Sequence, residues 1–294
     1  MRRLFGIAAA LLVTVGVVLA VFSRPVPLPA SVIDAVAPGD PDRGAAVFWA
    51  GGCASCHAAP GAVGEARLVL AGGRAFVTDF GTFRAPNISA DVTHGIGGWS
   101  WPEFANAMMA GLAPDGRPYY PAFPYTAYRL AAPQDMADLY AFLQTLPADA
   151  TSGAAHDLRF PYNIRRGVGL WKRLALRDGW AVAGPLDEDA ARGRYLAEAL
   201  AHCGECHTPR DRFGRLDRDR WMAGAPNPSG EGVIPDIRPA ALGWSREDVA
   251  VYLRTGFTPG FDLAGGTMAD VVKSLAELPE ADTDAIAAYL LALP

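Results

Sequence analysis

Two short motifs constrain this chain more than anything else in it: Cys53-Ala54-Ser55-Cys56-His57 and Cys203-Gly204-Glu205-Cys206-His207, 150 residues apart. A Cys-x-x-Cys-His run is the pattern on which a c-type haem is attached. Both thiols add to the haem vinyl groups as thioethers, and the adjoining histidine then lies close enough to bind the iron. The four cysteines are the only ones in the chain, so no thiol is left for a disulfide. A four-cysteine zinc site gathers its ligands closely and needs no histidine after each pair. A thioredoxin-like redox pair sits in a βαβ pattern, and none is visible here. The motifs therefore predict two covalently bound haem c groups. Cys53 and Cys56 hold one, Cys203 and Cys206 the other, with His57 and His207 as proximal iron ligands.

A chain of 294 residues suits about two domains of ordinary size. Its net charge of −5 gives no reason to expect nucleic acid as a partner. The N-terminus carries more information. Arg2 and Arg3 precede an uncharged run over 4–22, which is just long enough to span a bilayer. Basic residues ahead of the run keep the N-terminus inside and send the rest across. Val18-Leu19-Ala20 also fits a cleavage site. Residues 1–23 thus read as a retained signal-anchor or a cleaved signal peptide, and the length of the run favours the anchor. Either way the haem-bearing part ends at the periplasmic face of a bacterial inner membrane, where such motifs receive haem. Residues 24–41, with Pro25, Pro27, Pro29, Pro38 and Pro41, read as an extended tether.

The chain also repeats itself. A helical stretch precedes each motif, with Gly44 in the first and Gly193 in the second. A loop follows with Pro86-Asn87-Ile88 or Pro235-Asp236-Ile237, then Gly98-Trp99-Ser100 or Gly243-Trp244-Ser245. Ser100 and Ser245 are candidate N-caps, with Glu103, and Glu247 with Asp248, shortly after. They predict helices over 101–111 and 246–255. Each half closes with a helix ending in Leu-Pro, over 133–146 and 280–293. The early glycines would let the closing helix cross nearby, around Phe142 or Tyr289.

This order resembles class I cytochrome c. The resemblance implies an all-α fold of two tandem domains, 42–147 and 190–294, separated by 148–189. It also implies a loop that returns a distal ligand over each haem. In the second half Met268 follows Gly265-Gly266-Thr267, on a loop before the last helix, where this family places its methionine ligand. Packing in the core is the alternative role for a methionine. Met268 lies 25 residues after Gly243, and 25 residues after Gly98 lies Phe123. The segment around Phe123 resembles the ligand loop of bacterial dehydrogenase cytochrome subunits, which usually carry Met there, but phenylalanine cannot bind iron. Met108 is the leading substitute, lying ten residues after Gly98 as Leu253 lies ten after Gly243. A five-coordinate or water-bound iron is the next reading, and Met109 or His94 follow. His156 and His202 are the other spare histidines, His202 badly placed beside Cys203.

The middle segment, Phe160 to Leu174, is basic and aromatic within an acidic chain. It reads first as an interdomain clamp, and otherwise as a rest on anionic headgroups with Trp171 at the interface, or as a partner dock. Arg74, Trp99, Arg210 and Trp244 are candidate donors to haem propionates. Together these features suggest a di-haem electron carrier. Its electrons come from a dehydrogenase or quinol-oxidising complex and pass to a cytochrome or terminal oxidase. The nearest resemblance is to cytochrome c subunits of alcohol- and sugar-type dehydrogenases, which often carry three haems where two motifs stand here. The rival is a redox enzyme of peroxidase or thiosulfate-oxidising type, working at an open first haem.

Overall fold

Helix starts here are written into short polar signals. Asp40 accepts hydrogen bonds from the Asp42 and Arg43 amides at 2.9 and 3.4 Å, with Pro41 at the first helical position. Asp187 does the same for the Ala190 amide at 2.8 Å. Ser100 with Glu103, and Ser245 with Asp248, form the two capping boxes, each satisfying amides that a helix start leaves open. The computed structural model describes residues 2–228, 230 and 232–294. The side chain of Arg2, read above as a topology signal, lies outside the described residues.

The elements run α1 (Arg2–Phe22), α2 (Ala30–Ile33), α3 (Pro41–Ala50), α4 (Cys53–His57), β1 (Ala75–Thr78), β2 (Gly81–Arg84), α5 (Trp101–Ala105), α6 (Tyr125–Tyr128), α7 (Pro133–Thr145), β3 (Asp157–Leu158), α8 (Arg166–Ala175), α9 (Glu188–Arg194), α10 (Gly204–His207), β4 (Ala225–Pro226), β5 (Val233–Ile234), α11 (Pro239–Leu242), α12 (Arg246–Thr255), α13 (Gly266–Leu275) and α14 (Glu280–Leu291). Wider π turns continue α5 at Asn106–Ala110 and α9 at Tyr195–Leu200. The helix expected over 101–111 is thus an α-helix that widens and stops at Gly111, whose φ of +58° suits glycine.

α3 packs on α7, and α9 packs on α14. Each crossing occurs at a glycine. A Cβ on Gly44 would press on the Asp138 carbonyl and lie 2.7 Å from the Phe142 Cβ. One on Gly193 would press on the Ala285 carbonyl and lie 2.8 Å from the Tyr289 Cβ. The expected crossings at Phe142 and Tyr289 are met. An arginine beside each glycine ties the crossing: Arg43 Nε to Asp138 at 2.7 Å, and Arg192 Nε to Asp282 at 2.9 Å. Around the crossings, Phe48, Met136 and Leu139 in the first half and Leu196, Ile286 and Tyr289 in the second belong to one continuous core.

The all-α expectation needs correction: the chain is mostly helical but carries two small antiparallel sheets. β1 and β2 form a hairpin, and β3 adds to β2 through Gly81 opposite Leu158. β4 pairs with β5. The alternating Phe76 and Thr78 of β1, half-buried between exposed neighbours, give a strand period that a haem-loop reading does not look for. β3 comes from the middle segment, so the sheet ties that segment to the first half.

The rest of the middle segment joins three parts of the molecule. Lys172 Nζ donates to the Gly111 carbonyl at 3.1 Å. Trp171 Nε1 donates to the Phe213 carbonyl at 2.8 Å. Arg166 and Arg173 reach the end of α1, at Ser23 Oγ (2.9 Å) and the Phe22 carbonyl (2.7 Å). The clamp expected from the sequence is present, and it also holds the N-terminal helix.

Forcing a methyl group into a closed crossing typically destabilises by about 1–3 kcal/mol. Gly44→Ala and Gly193→Ala should therefore each lower the thermal unfolding midpoint of the haem-loaded protein. Gly167→Ala, with no atom within 4 Å of the added carbon, should leave it nearly unchanged.

Candidate haem sites

Each Cys-x-x-Cys-His run folds as one short helical turn, α4 or α10. The loop that follows each turn returns to it in the same way. The Gly72 amide donates to the His57 carbonyl at 2.8 Å, and the Gly224 amide to the His207 carbonyl at 2.7 Å. The Ile88 amide reaches the Leu70 carbonyl and the Ile237 amide the Met222 carbonyl, at 3.0 and 3.1 Å. These bonds carry a proline carbonyl to each imidazole. His57 Nδ1 lies 2.8 Å from the Pro86 carbonyl, and His207 Nδ1 lies 2.8 Å from the Pro235 carbonyl. A ring that donates Nδ1–H to a carbonyl keeps Nε2 as the free lone pair, the tautomer a metal needs.

Burial lowers the pKa of both histidines, and the proline carbonyls oppose this only in part. Both rings are therefore neutral near pH 7. Burial also pushes the Cys53 and Cys203 thiols up to about 12, and raises Cys56 and Cys206. A redox-active Cys-x-x-Cys pair lowers one thiol to favour thiolate, and these sites do the opposite. Neutral thiols, an oriented neutral histidine and the apolar Ala54, Ala58 and Leu70 nearby in the core fit a covalently held haem.

The distal side follows the same repeat. Leu112 bridges to Pro118, and Phe257 bridges to Leu263. The Tyr119 amide donates to the Gly111 carbonyl and the Ala264 amide to the Gly256 carbonyl, both at 2.8 Å. This register equates Phe123 with Met268, each five residues past the second bridge partner. It equates Met108 with Leu253, each four residues before the first. Met268 is not on a loop: it is the third residue of α13, because the Gly265-Gly266 pair starts the helix two residues earlier. It is half-buried against the core.

Met108 and Met109 are both buried, in the π turn Asn106–Ala110. π turns often occur at functional positions. Phe123 packs among Tyr119, Tyr125 and Tyr128, with ring centroids 5.7, 6.3 and 5.9 Å away. His94 is held by its own loop, its amide on Asp91 Oδ1 at 2.6 Å. His156 Nδ1 takes the Arg84 amide at 3.1 Å, and His202 rests its ring 5.8 Å from Tyr128.

The structure also brings the two attachment turns against each other's half, which no motif announces. Ser55 Oγ lies 3.1 Å from the Asp270 carbonyl and 3.2 Å from Ser274 Oγ, both on α13. Glu205 accepts from Thr126 Oγ1, on α6. Ser55 and Glu205 occupy the same spacer position in the two motifs. Arg74 completes the contact by donating to the Ser55 carbonyl and pairing with Asp270 at 3.0 Å. Arg210 pairs with Glu205 and donates to the Gly214 carbonyl at 3.0 Å. Both propionate candidates among the arginines are thus engaged with protein groups. Trp244 packs its ring on Tyr252 at 5.3 Å, and the Trp99 carbonyl takes the Tyr140 hydroxyl.

A cytochrome c family model matches residues 41–147. A diheme cytochrome c-type protein from Cereibacter sphaeroides is 56% identical over 87% of this chain and 86% of its own length. The chain belongs to the cytochrome c family. Cytochrome c proteins carry haem c and transfer electrons. Other relatives are cytochrome subunits of dehydrogenases. The fructose dehydrogenase cytochrome subunit of Gluconobacter japonicus is 38% identical, over 86% of this chain and 52% of its own length. An alcohol dehydrogenase (quinone) cytochrome c subunit of Gluconacetobacter polyoxogenes is 34% identical, over 86% and 55%. This cytochrome c therefore spans about half the length of those two subunits.

The lowered histidine pKa values set the direction of a pH effect. Below the ordinary value of 6.5 the unfolded chain binds protons that the folded rings refuse, so folding and ligation weaken as pH falls through this range. Above 6.5 both states are neutral and the effect vanishes. Oxidised protein should keep its low-spin absorption from pH 8 to the ordinary histidine value and lose it only on further acidification. A loss of low-spin absorption on raising the pH above 6.5 would contradict this assignment of the neutral rings.

Proposed function

We propose that the chain is a di-haem electron carrier built as two tandem class I cytochrome c domains, 42–147 and 190–294, joined by 148–189. The observation that carries the reading is the duplicated geometry: two Cys-x-x-Cys-His turns, each with its histidine Nδ1 on a proline carbonyl. When bound, haem c supplies a one-electron couple at its iron. Cys53, Cys56, Cys203 and Cys206 hold the two groups, and His57 and His207 offer Nε2 as proximal ligand. The proline carbonyls keep those rings from turning. Met268 serves as the distal ligand of the second centre. The reciprocal contacts of Ser55 and Glu205 keep the two attachment turns adjacent, which favours direct passage between centres.

At the first centre Phe123 stands where Met268 stands in the second, and Met108 takes over as ligand. Its support is positional: it occupies the register of Leu253, in a widened turn, with a longer and more flexible side chain. Met108→Ala should lower the potential of one centre or convert it to high spin, and Met268→Ala should do so to the other. An unchanged spectrum and potential in Met108→Ala would remove Met108 as a ligand. Phe123 also favours a second reading, an open first centre acting on a small molecule. Ready cyanide binding to half of the oxidised iron would support that reading, and a fully low-spin protein would support electron transfer.

The proposed place of work is the periplasmic face of a bacterial inner membrane, with α1 as a retained anchor. Arg3–Phe22 is long and apolar enough to cross a membrane. Ser23, directly after it, is buried and lies against Gly169 of α8, so the end of the helix is part of the folded joint. The proposed donor is a dehydrogenase, in line with the relatives, or a quinol-oxidising complex. The acceptor is a cytochrome or terminal oxidase. Purification of the chain from its native membrane should retain a dehydrogenase or quinol-oxidising partner whose substrate reduces the haems. Recovery of protein that no such partner reduces would count against the carrier role.

A further inference from the structure

Between Asp157 and Asp178 lie Arg159, Arg165, Arg166, Lys172, Arg173 and Arg177, with no acidic residue among them. Among the described residues none of these six is ion-paired, whereas Arg43, Arg67, Arg74, Arg129 and Arg192 each hold a carboxylate. Lys172 is turned inward, onto the Gly111 carbonyl. The arginines at 159, 166, 173 and 177 are exposed. Large apolar side chains stand exposed between them: Phe160 at 78%, Ile164 at 52% and Leu174 at 67%. Folded surfaces usually mix charge signs and avoid such residues in groups. A cationic stretch in an acidic chain, interleaved with bare apolar groups, suits the boundary of an anionic bilayer.

Its position agrees. The 21 residues of α1 give a rise of about 31 Å at 1.5 Å each, close to the ~30 Å hydrocarbon thickness. Whatever touches the last turn of α1 therefore sits at headgroup depth. α8 is what touches it. Arg166 donates to the Ala20 carbonyl at 3.0 Å and Arg173 to the Phe22 carbonyl at 2.7 Å. Gly169 lets the Ser23 carbonyl come closer to α8 than a Cβ at that position would allow.

We propose that the segment 159–177, made of α8, the turn before it and the residues up to Arg177 after it, forms a docking face for anionic phospholipid headgroups of the membrane that α1 crosses. The apolar side chains dip below the headgroups while the guanidinium groups bind phosphates. The face fixes the orientation of the haem-bearing part on the membrane, beyond what a flexible tether after α1 alone would do. The proposal rests on the reading of α1 as a retained span.

The test uses the full haem-loaded chain in nanodiscs of phosphatidylcholine alone or mixed with phosphatidylglycerol. Phe160→Cys and Leu174→Cys each add one free thiol to a protein whose own cysteines are thioethers. Reaction with a membrane-impermeant maleimide should slow about tenfold in the anionic discs relative to the neutral ones. Arg159→Gln/Arg177→Gln, or raised salt, should remove most of that difference. Hydrogen exchange over 159–177 in the unsubstituted chain, slower in anionic discs, gives the same answer without a cysteine. Equal labelling and exchange in both discs would overturn the docking face while leaving the span intact. Failure of the chain to enter either disc would overturn the span, and the docking face with it.

Discussion

In each Cys-x-x-Cys-His turn the histidine Nδ1 rests on a proline carbonyl, and on the proposed reading that hydrogen bond fixes the direction from which the imidazole meets iron. Everything around each attachment turn serves this bond. The amides of Gly72 and Gly224 lock the start of the returning loop to the histidine's own carbonyl. Ile88 and Ile237 close the loop just past the proline. Proline suits the acceptor position because its φ is fixed, which leaves only ψ to set the direction of its carbonyl. The glycine crossings of α3 with α7 and of α9 with α14 then brace the turn from behind.

The two turns are also braced against each other. Ser55 and Glu205 fill equivalent spacer positions, and each reaches a helix of the opposite half, α13 or α6. The contact has a rough two-fold character, although the chemistry differs: a hydroxyl on one side, a carboxylate on the other. Arg74 and Arg210 reinforce the two sides. Such reciprocal polar contacts tolerate little sliding, because a shift that relieves one loses the other. On the proposed reading, this places the spacer residues of the motifs among those that govern passage between the centres, although they neither bind haem nor touch iron.

Much of this was legible in the sequence because it is local and periodic. The motifs, the capping signals at Ser100 and Ser245, the crossing glycines and the correspondence of Phe123 with Met268 all follow from spacing. The bridges Leu112 to Pro118 and Phe257 to Leu263 reproduce that correspondence independently. What was not legible depends on distant partners. β3 is two residues long and exists only because β2 offers an edge. The helical start at Met268 depends on backbone freedom at Gly265 and Gly266 that the sequence also allows to a loop. Arg74, suggested for a propionate, faces Asp270, a carboxylate brought close by folding. The contacts of Ser55 and Glu205 cross more than 70 residues of chain, and nothing in their identity points to a partner.

The two halves differ where Phe123 stands in one and Met268 in the other. Phe123 does more than withhold a ligand: it completes a group of aromatic rings with Tyr119, Tyr125 and Tyr128, and the Tyr128 hydroxyl donates to the Gly51 carbonyl beside α4 at 3.1 Å. This group of rings holds a rigid side chain at the position where the second half has the flexible Met268. On the proposed reading the sulfur comes instead from Met108, buried in the π turn that continues α5. The same half is the one joined to α1 and to the basic face of α8 through β3, Lys172 and Tyr120, whose hydroxyl donates to the Tyr162 carbonyl at 2.9 Å. The half that carries Phe123 in place of the matching methionine is thus the one that Lys172 and Tyr120 tie to the segment proposed to face the membrane.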